Sequence, residues 1–148
     1  MSVTFTSIHA NCVVVGHSGV LIRGASGSGK STITRRIVEL ARYRGYFSEI
    51  VGDDRILLRM NNGRIVASGH PLIAGCLEIR GLGIAQSNFE NRAVIRLLVD
   101  CEPVLKVRAP DDLENSGELF GISLRRITVT PETPDHVLVA LGLGSVVI

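Results

Sequence analysis

Residues 24–31 have the types and the spacing that phosphate binding needs. The run reads Gly24-Ala25-Ser26-Gly27-Ser28-Gly29-Lys30-Ser31, which fits the pattern G-x-x-x-x-G-K-[ST]. Glycines let backbone N–H groups curl closely around an anion, because side chains would obstruct that approach. The lysine adds a positive charge for the β and γ phosphates, and the serine hydroxyl can bind Mg²⁺. The sequence therefore predicts a P-loop that binds a nucleotide such as ATP.

A pair of acids, Asp53 and Asp54, is the best candidate for the carboxylates that phosphoryl transfer also needs. One carboxylate must help to hold Mg²⁺, and one must orient or deprotonate the attacking hydroxyl. The pair follows the apolar stretch Ile50-Val51-Gly52, so it lies at the predicted carboxyl end of a strand, where α/β proteins place ligand groups. Adjacent side chains point in different directions, which would let the two acids take different roles. The alternative is a turn with solvated acids.

Glu78 and Arg80 form a second candidate set. They are two residues apart, so on a strand they share a face. Glu78 could bind the metal and Arg80 could neutralise phosphate charge. An ion pair on the solvent face of a sheet explains the same spacing equally well.

The elements around the loop are those that a P-loop requires. An apolar strand, Val20-Leu21-Ile22-Arg23, runs directly into it. From Lys30 to Arg44 the pattern is helical, with apolar residues on one face, and Gly45 is a plausible stop. A strand, a glycine-rich loop and an amphipathic helix thus follow one another in the required order.

The rest of the chain predicts a mixed sheet with few helices, in the α/β class. Asn61-Asn62-Gly63-Arg64 lies between apolar runs and indicates a hairpin. Residues 94–99 are typical of a buried strand. The polar segment 106–121 is predicted to be a mobile loop. Residues 127–130 and 137–141 are predicted to be closing strands.

Length and composition limit the classes of protein. A chain of 148 residues suits a single domain. A net charge of +2 without a concentrated basic face argues against nucleic-acid binding. No apolar run approaches the ~20 residues of a membrane span, and the first residues lack the pattern of a signal peptide. Three distant cysteines suggest no disulfide framework, so Cys12 and Cys76 are predicted to be buried thiols in a cytoplasmic protein.

Four segments in order resemble the catalytic domain of HPr kinase/phosphorylase. They are Ser7-Ile8-His9, residues 24–31, Gly52-Asp53-Asp54 and Leu77-Glu78-Ile79-Arg80-Gly81-Leu82-Gly83-Ile84, the last being the most discriminating. The family phosphorylates a serine of HPr, a small phosphocarrier of the phosphotransferase system, and can remove that phosphate with inorganic phosphate. It is usually a homohexamer. The resemblance implies one catalytic domain over residues 1–148, the short form of the family, with ATP and Mg²⁺ as cofactors.

The resemblance also implies roles for individual residues. His9 would be an active-site residue, and Lys30 would be catalytic as well as phosphate-binding. Ser31 and Glu78 would bind Mg²⁺. Arg80 would stabilise charge on the transferring phosphoryl group. The pair Asp53-Asp54 would contain the general base, with Asp54 favoured but not separated from Asp53.

Two segments depart from the family pattern. Pro110-Asp111-Asp112-Leu113 has an acid where the family has an arginine, and Thr130-Pro131-Glu132-Thr133-Pro134-Asp135 replaces a segment with arginine and glycine that is linked to dephosphorylation. An acidic loop attracts phosphate poorly, so the phosphorylase direction stays open. A small-molecule P-loop kinase and an ATP-sensing module without catalysis remain alternatives.

Overall fold

The structure is a computed structural model, and it describes residues 5–70, 76–79, 83–86, 92–104 and 116–143. The elements in chain order are β1 (Thr6–Ile8), β2 (Asn11–Val15), β3 (Ser18–Arg23), α1 (Lys30–Tyr43), β4 (Ser48–Gly52), β5 (Ile56–Asn61), β6 (Arg64–Gly69), β7 (Cys76–Ile79), β8 (Gly83–Gln86), β9 (Arg92–Cys101), β10 (Ser116–Leu119), β11 (Ile122–Val129) and α2 (Pro134–Ala140).

The described strands form a nine-stranded mixed sheet and a separate β7–β8 hairpin. The main order is β1-β5-β6-β9-β3-β2-β4, and β11 pairs with both β9 and β10. β9 runs parallel to β3 and to β11. β3 and β4 are both antiparallel to β2 and hence parallel to each other. The carboxyl ends of β3, β4, β9 and β11 therefore share one edge, and the segments that follow them meet there.

Two apolar clusters on opposite faces of the sheet hold β3 in place, and the first of them also holds α1. Ile33, Ile37 and Ala41 are fully buried, and their spacing of four places them on one face of α1. That face packs on the sheet with Val20 and Ile22 of β3, together with residues of α2. Leu21 of β3 belongs to a second cluster on the opposite face. Burial on both faces explains why β3 reads as a continuous apolar run.

Two local predictions are confirmed. α1 ends at Tyr43, and Gly45 follows with φ +87°, a left-handed backbone that suits the end of a helix. β5 and β6 form the expected hairpin. Asn62 and Gly63 at its turn have φ of +51° and +75°, and a type I′ hairpin turn needs this positive sign at both central positions.

The prediction of a strand at residues 137–141 is wrong, because helix α2 occupies Pro134–Ala140. Pro134 stands in the first turn, where its missing N–H costs nothing, and Asp135 complements the helix dipole there. Burial of Val137 and Leu138 in the first cluster outweighs the strand preference of the valines. Neither helix in the described ranges is long and apolar enough to cross a membrane.

The prediction of a mobile loop over 106–121 is wrong for its last part. Residues 116–119 form β10, which pairs antiparallel with β11 across a turn at Phe120 and Gly121. Residues 105–115 lie outside the described ranges. The predicted class itself, an α/β mixed sheet with few helices, is confirmed.

Candidate active site

The glycine-rich loop lies between β3 and α1, as its pattern predicts. Ser28 N–H donates to the Ala25 carbonyl at 3.0 Å, closing a turn inside the loop. Gly29 is the N-cap of α1 and has φ +99°. It has no side chain to occupy the first amides of the helix, and such amides form an anion-binding terminus. A Cβ at Gly29 would also collide with the ring of Pro131.

Lys30 is folded back over this loop. Its Nζ donates to the Gly24 carbonyl at 3.0 Å, and the residue is only 7% exposed. The turn is tight, because a Cβ at Gly24 would lie 2.5 Å from Ser28 Oγ and 2.7 Å from the Cys101 carbonyl oxygen. The ammonium group is therefore held inside the loop, where phosphate oxygens would have to lie.

Cys101, the last residue of β9, contacts the glycine-rich loop. Its buried Sγ donates to the Ser28 carbonyl at 3.4 Å. Burial raises the pKa of the Cys101 thiol, while the Ser28 side chain and the charge of Lys30 act in the opposite direction. A raised pKa keeps the thiol protonated at neutral pH, so it can serve as a donor to the loop. No local sequence pattern indicates this contact, which joins residues 73 positions apart.

Asp53 contacts the first turn of α1. It directly follows β4 and is 6% exposed. Ser31 Oγ donates to Asp53 Oδ1 at 3.0 Å. A hydroxyl and a carboxylate in contact beside the glycine-rich loop are oxygen ligands of the kind that Mg²⁺ prefers.

Asp54 points elsewhere, as expected for the neighbouring acid, and contacts His9. Asp54 Oδ1 lies against His9 Nε2, and the two side chains are 64% and 52% exposed. The backbone here is unusual. Arg55 N–H donates to the Asp53 carbonyl at 2.8 Å, and Asp54 between them has φ +67°. This is a γ-turn of the rare, strained form with positive φ at its centre.

Asn11 is a site residue that the sequence predictions missed. It is fully buried at the start of β2. Its Oδ1 accepts the Asp54 N–H at 2.6 Å, and its Nδ2 donates to Thr34 Oγ1 at 3.0 Å. One signal was available, since an amide at the head of the apolar run Cys12–Val15 must find partners inside the core.

A charged cluster beside the loop was also missed. Arg23, the last residue before the loop, donates through Nε to Asp100 Oδ1 at 2.9 Å. Arg126 Nε lies 2.6 Å from the other oxygen of that carboxylate. Arg23 and Arg126 line a cleft of about 430 Å³ together with residues of β10. Glu118 lines the same cleft, so the two arginines of this corner lie near two carboxylates.

Five of the predicted residues thus come together at one edge of the sheet. They are His9, Lys30, Ser31, Asp53 and Asp54. Glu78 lies in β7, whose backbone is close to α1, but the structure does not describe its side chain. Arg80 lies outside the described residues. Across the described part of the chain, no group of three or more His, Cys, Asp or Glu residues could hold a metal ion.

Comparison with known proteins identifies relatives of this chain. The chain is 29% identical to the HPr kinase/phosphorylase of Mycoplasma mycoides subsp. mycoides SC, over 92% of this chain and 42% of the relative. It is 30% identical to the enzyme of that name from Streptococcus thermophilus, over 92% and 46%. The chain thus spans less than half the length of these relatives.

A solved structure has the same fold. The structure of the Hpr(Ser) kinase/phosphatase from Coxiella burnetii matches with a TM-score of 0.73 at 24% identity, over 93% of this chain and 88% of that one. The family model for the HPr serine kinase C-terminal domain matches residues 2–132. This chain belongs to the HPr serine kinase C-terminal domain family.

Proposed function

We propose that this chain is an ATP- and Mg²⁺-dependent protein serine kinase whose acceptor is an HPr-like phosphocarrier protein. The observation that carries the proposal is the meeting of three features at one sheet edge. A phosphate loop holds Lys30, a buried carboxylate contacts the loop helix at Ser31, and an exposed carboxylate lies next to His9. These are the positioning and electrostatic parts that phosphoryl transfer requires.

The nucleotide would bind through residues 24–31. Its phosphates would receive backbone N–H groups of the loop and of the first turn of α1, and Lys30 would exchange its bond to the Gly24 carbonyl for phosphate oxygens. Ser31 and Glu78 would hold Mg²⁺, and the closeness of β7 to α1 supports the second of these. The metal would supply charge neutralisation at the phosphates. Arg80 would stabilise charge on the transferring group.

Burial supports different roles for the two acids. Asp53 is buried and bonded to Ser31, so we assign it to the metal side of the site. Asp54 is largely exposed and beside His9, so an acceptor serine can reach it. Asp54 would be the general base, and His9 would orient its carboxylate.

The proposed reaction transfers the γ phosphoryl group of ATP directly to the serine. The serine Oγ attacks the γ phosphorus, forming one P–O bond, while the bond from that phosphorus to the β–γ bridging oxygen breaks. The serine proton passes to Asp54, and ADP leaves with its electron pair. Lys30 and Arg80 would stabilise the charge that develops on the phosphoryl oxygens and the leaving group.

Residues 1–148 would act as one catalytic domain in the cytoplasm, where ATP and phosphocarriers are present, and in a homohexamer. The kinase direction is the one proposed. The segment 130–135, which departs from the family pattern, begins with a turn whose Pro131 packs on Gly29, so it lies close enough to affect phosphate binding.

A panel of acceptors tests the proposal. The purified chain would be mixed with labelled ATP and Mg²⁺ and with an HPr-like phosphocarrier, the same carrier with its acceptor serine changed to alanine, or a set of small alcohols. We expect label only on the unaltered carrier. Label on a small alcohol alone would indicate a small-molecule kinase. Binding of ATP without any transfer would contradict a kinase and indicate a sensing module.

A further inference from the structure

We infer that Asn11 is a positioning residue, which couples the phosphate-loop helix to the backbone of Asp54. The inference deepens the proposed function, because it rests on Asp54 as the base. Asn11 is fully buried at the start of β2. It acts through two neighbours, Thr34 on α1 and the main chain of Asp54.

A continuous chain of hydrogen bonds makes the connection. Thr34 Oγ1 donates to the Lys30 carbonyl at 2.6 Å. Asn11 Nδ2 donates to that same Oγ1 at 3.0 Å, and Asn11 Oδ1 accepts the Asp54 N–H at 2.6 Å. Asn11 and Thr34 are fully buried. Two buried bonds and one part-buried bond thus join the lysine of the loop to the residue that would take the proton.

The chemistry of the partners fixes the orientation of the amide. A hydroxyl has one hydrogen, and Thr34 gives it to the Lys30 carbonyl, so Thr34 can only accept from Asn11. The Asp54 N–H can only donate. Only the orientation with Nδ2 toward Thr34 and Oδ1 toward Asp54 satisfies both ends. An aspartate, a leucine or a serine at position 11 would fail at one end or at both.

The backbone of Asp54 needs such a constraint. Its φ of +67° at the centre of a γ-turn is a strained conformation, and strained residues at functional sites persist where the surroundings over-determine them. The Asp54 side chain is largely exposed, so its backbone is the part anchored in the core. His9 contacts that side chain and lies two residues before Asn11. The same short segment therefore positions His9 directly and the Asp54 backbone through Asn11.

The test compares variants at two buried polar residues of the β2–β4 region. Asn11→Leu keeps the approximate volume and removes both bonds. Ser48→Ala is the matched control, because Ser48 is buried on β4 and its Oγ donates to the Val14 carbonyl at 2.8 Å, toward the opposite end of the strand pair. For each protein, kcat, KM, the Kd of MgATP and hydrogen exchange of the Asp54 amide would be measured.

We expect Asn11→Leu to lower kcat by about 10- to 100-fold, since misplacement of a reacting group by about 1 Å costs that much. The Kd of MgATP should stay within about twofold, and the Asp54 amide should exchange at least about tenfold faster. Ser48→Ala should change none of these. An unchanged kcat in Asn11→Leu, or an equal loss in Ser48→Ala, would overturn the inference.

A second pair of variants keeps the test decisive if Asn11→Leu does not fold. Thr34→Val removes the acceptor of Asn11 Nδ2 with little change of volume, and Thr34→Ser restores a hydroxyl. We expect Thr34→Val to lower kcat and Thr34→Ser to recover most of it. Hydrogen exchange of the Asp54 amide can be measured even in a protein that shows no kinase activity. A protected Asp54 amide in a wild type that transfers no phosphoryl group would overturn the proposed function alone, whereas an unprotected amide would overturn the coupling.

Discussion

Ser31 Oγ donates a hydrogen bond of 3.0 Å to Asp53 Oδ1, and this bond ties the first turn of α1 to the end of β4. Ser31 is the neighbour of Lys30, and Asp53 is the neighbour of Asp54. The bond therefore sets the spacing between the residue that would hold phosphate and the residue that would take the proton. Because Asp53 is buried, solvent weakens the contact little.

Removal of this contact should affect the metal more than the nucleotide. In Ser31→Ala and in Asp53→Asn we expect the Kd of ATP measured with Mg²⁺ to rise about tenfold, because one good metal ligand or its support is worth roughly 1–2 kcal/mol. The Kd of ATP measured without Mg²⁺ should change less than about threefold. Calorimetric titration measures both. Equal losses with and without Mg²⁺ would contradict a metal role for this pair.

Lys30→Ala should weaken nucleotide binding without unfolding the protein. Charge-assisted bonds to phosphate are worth about 1.5–3 kcal/mol, which predicts an increase of roughly 10- to 150-fold in the Kd of ATP. The melting temperature should change by no more than a few degrees, since the visible bond of Lys30 is one contact to the Gly24 carbonyl. Arg35→Ala, on the exposed side of the same helix, is the control. If both variants bind ATP equally, Lys30 does not contact phosphate.

Gly29→Ala should be more damaging than Gly63→Ala. Both glycines have positive φ, +99° and +75°, so each alanine incurs backbone strain of roughly 1–2 kcal/mol. At Gly29 the new Cβ would also meet the Pro131 ring, whereas at Gly63 it meets open space. We expect Gly29→Ala to unfold at a clearly lower urea concentration and to lose ATP affinity. Equal midpoints of urea unfolding would show that Pro131 does not confine the loop.

Stability should fall at alkaline pH because of Cys12. Burial raises the pKa of this thiol from 9.0 to about 12, so above pH 9 the unfolded chain releases a proton that the folded chain keeps. The free energy of unfolding then decreases as pH rises through this window, by at most about 1.4 kcal/mol per pH unit for one thiol. Below pH 9 the contribution is fully present.

Chemical unfolding at several pH values between 8 and 11 tests this, with Cys12→Ala as the comparison. The variant should start from a lower stability, since it loses buried volume, but its stability should fall less steeply with pH. Cys101, whose pKa is also raised, remains in both proteins and cancels in the difference. Parallel curves would contradict a buried, protonated Cys12.

Local patterns allowed much of the site to be predicted. The loop, the helix after it and the acids after a strand each depend on residues close in sequence, where glycine conformation and apolar periodicity act directly. Gly29 and Gly63 have the positive φ that their patterns require. The contacts of Asp53 with Ser31 and of Asp54 with His9 agree with the expectation that adjacent acids point in different directions.

Long-range contacts could not be predicted in the same way. Asn11 and Cys101 act on residues 43 and 73 positions away, and no local pattern encodes those partners. The helix α2 was missed because valines favour strands when they are considered alone. The helix forms because its apolar face is buried against the first cluster. That cluster is built from several strands of the sheet, so the local sequence does not reveal it.

Transfer and binding measured together in Asp54→Asn test the central claim most directly. The asparagine keeps the shape of the side chain but accepts no proton from the serine. We predict that single-turnover transfer to an HPr-like phosphocarrier falls at least about 100-fold, while the Kd of MgATP stays within about threefold of the wild-type value. Transfer at the wild-type rate, or an equal loss of transfer and ATP binding, would contradict Asp54 as the base of a serine kinase.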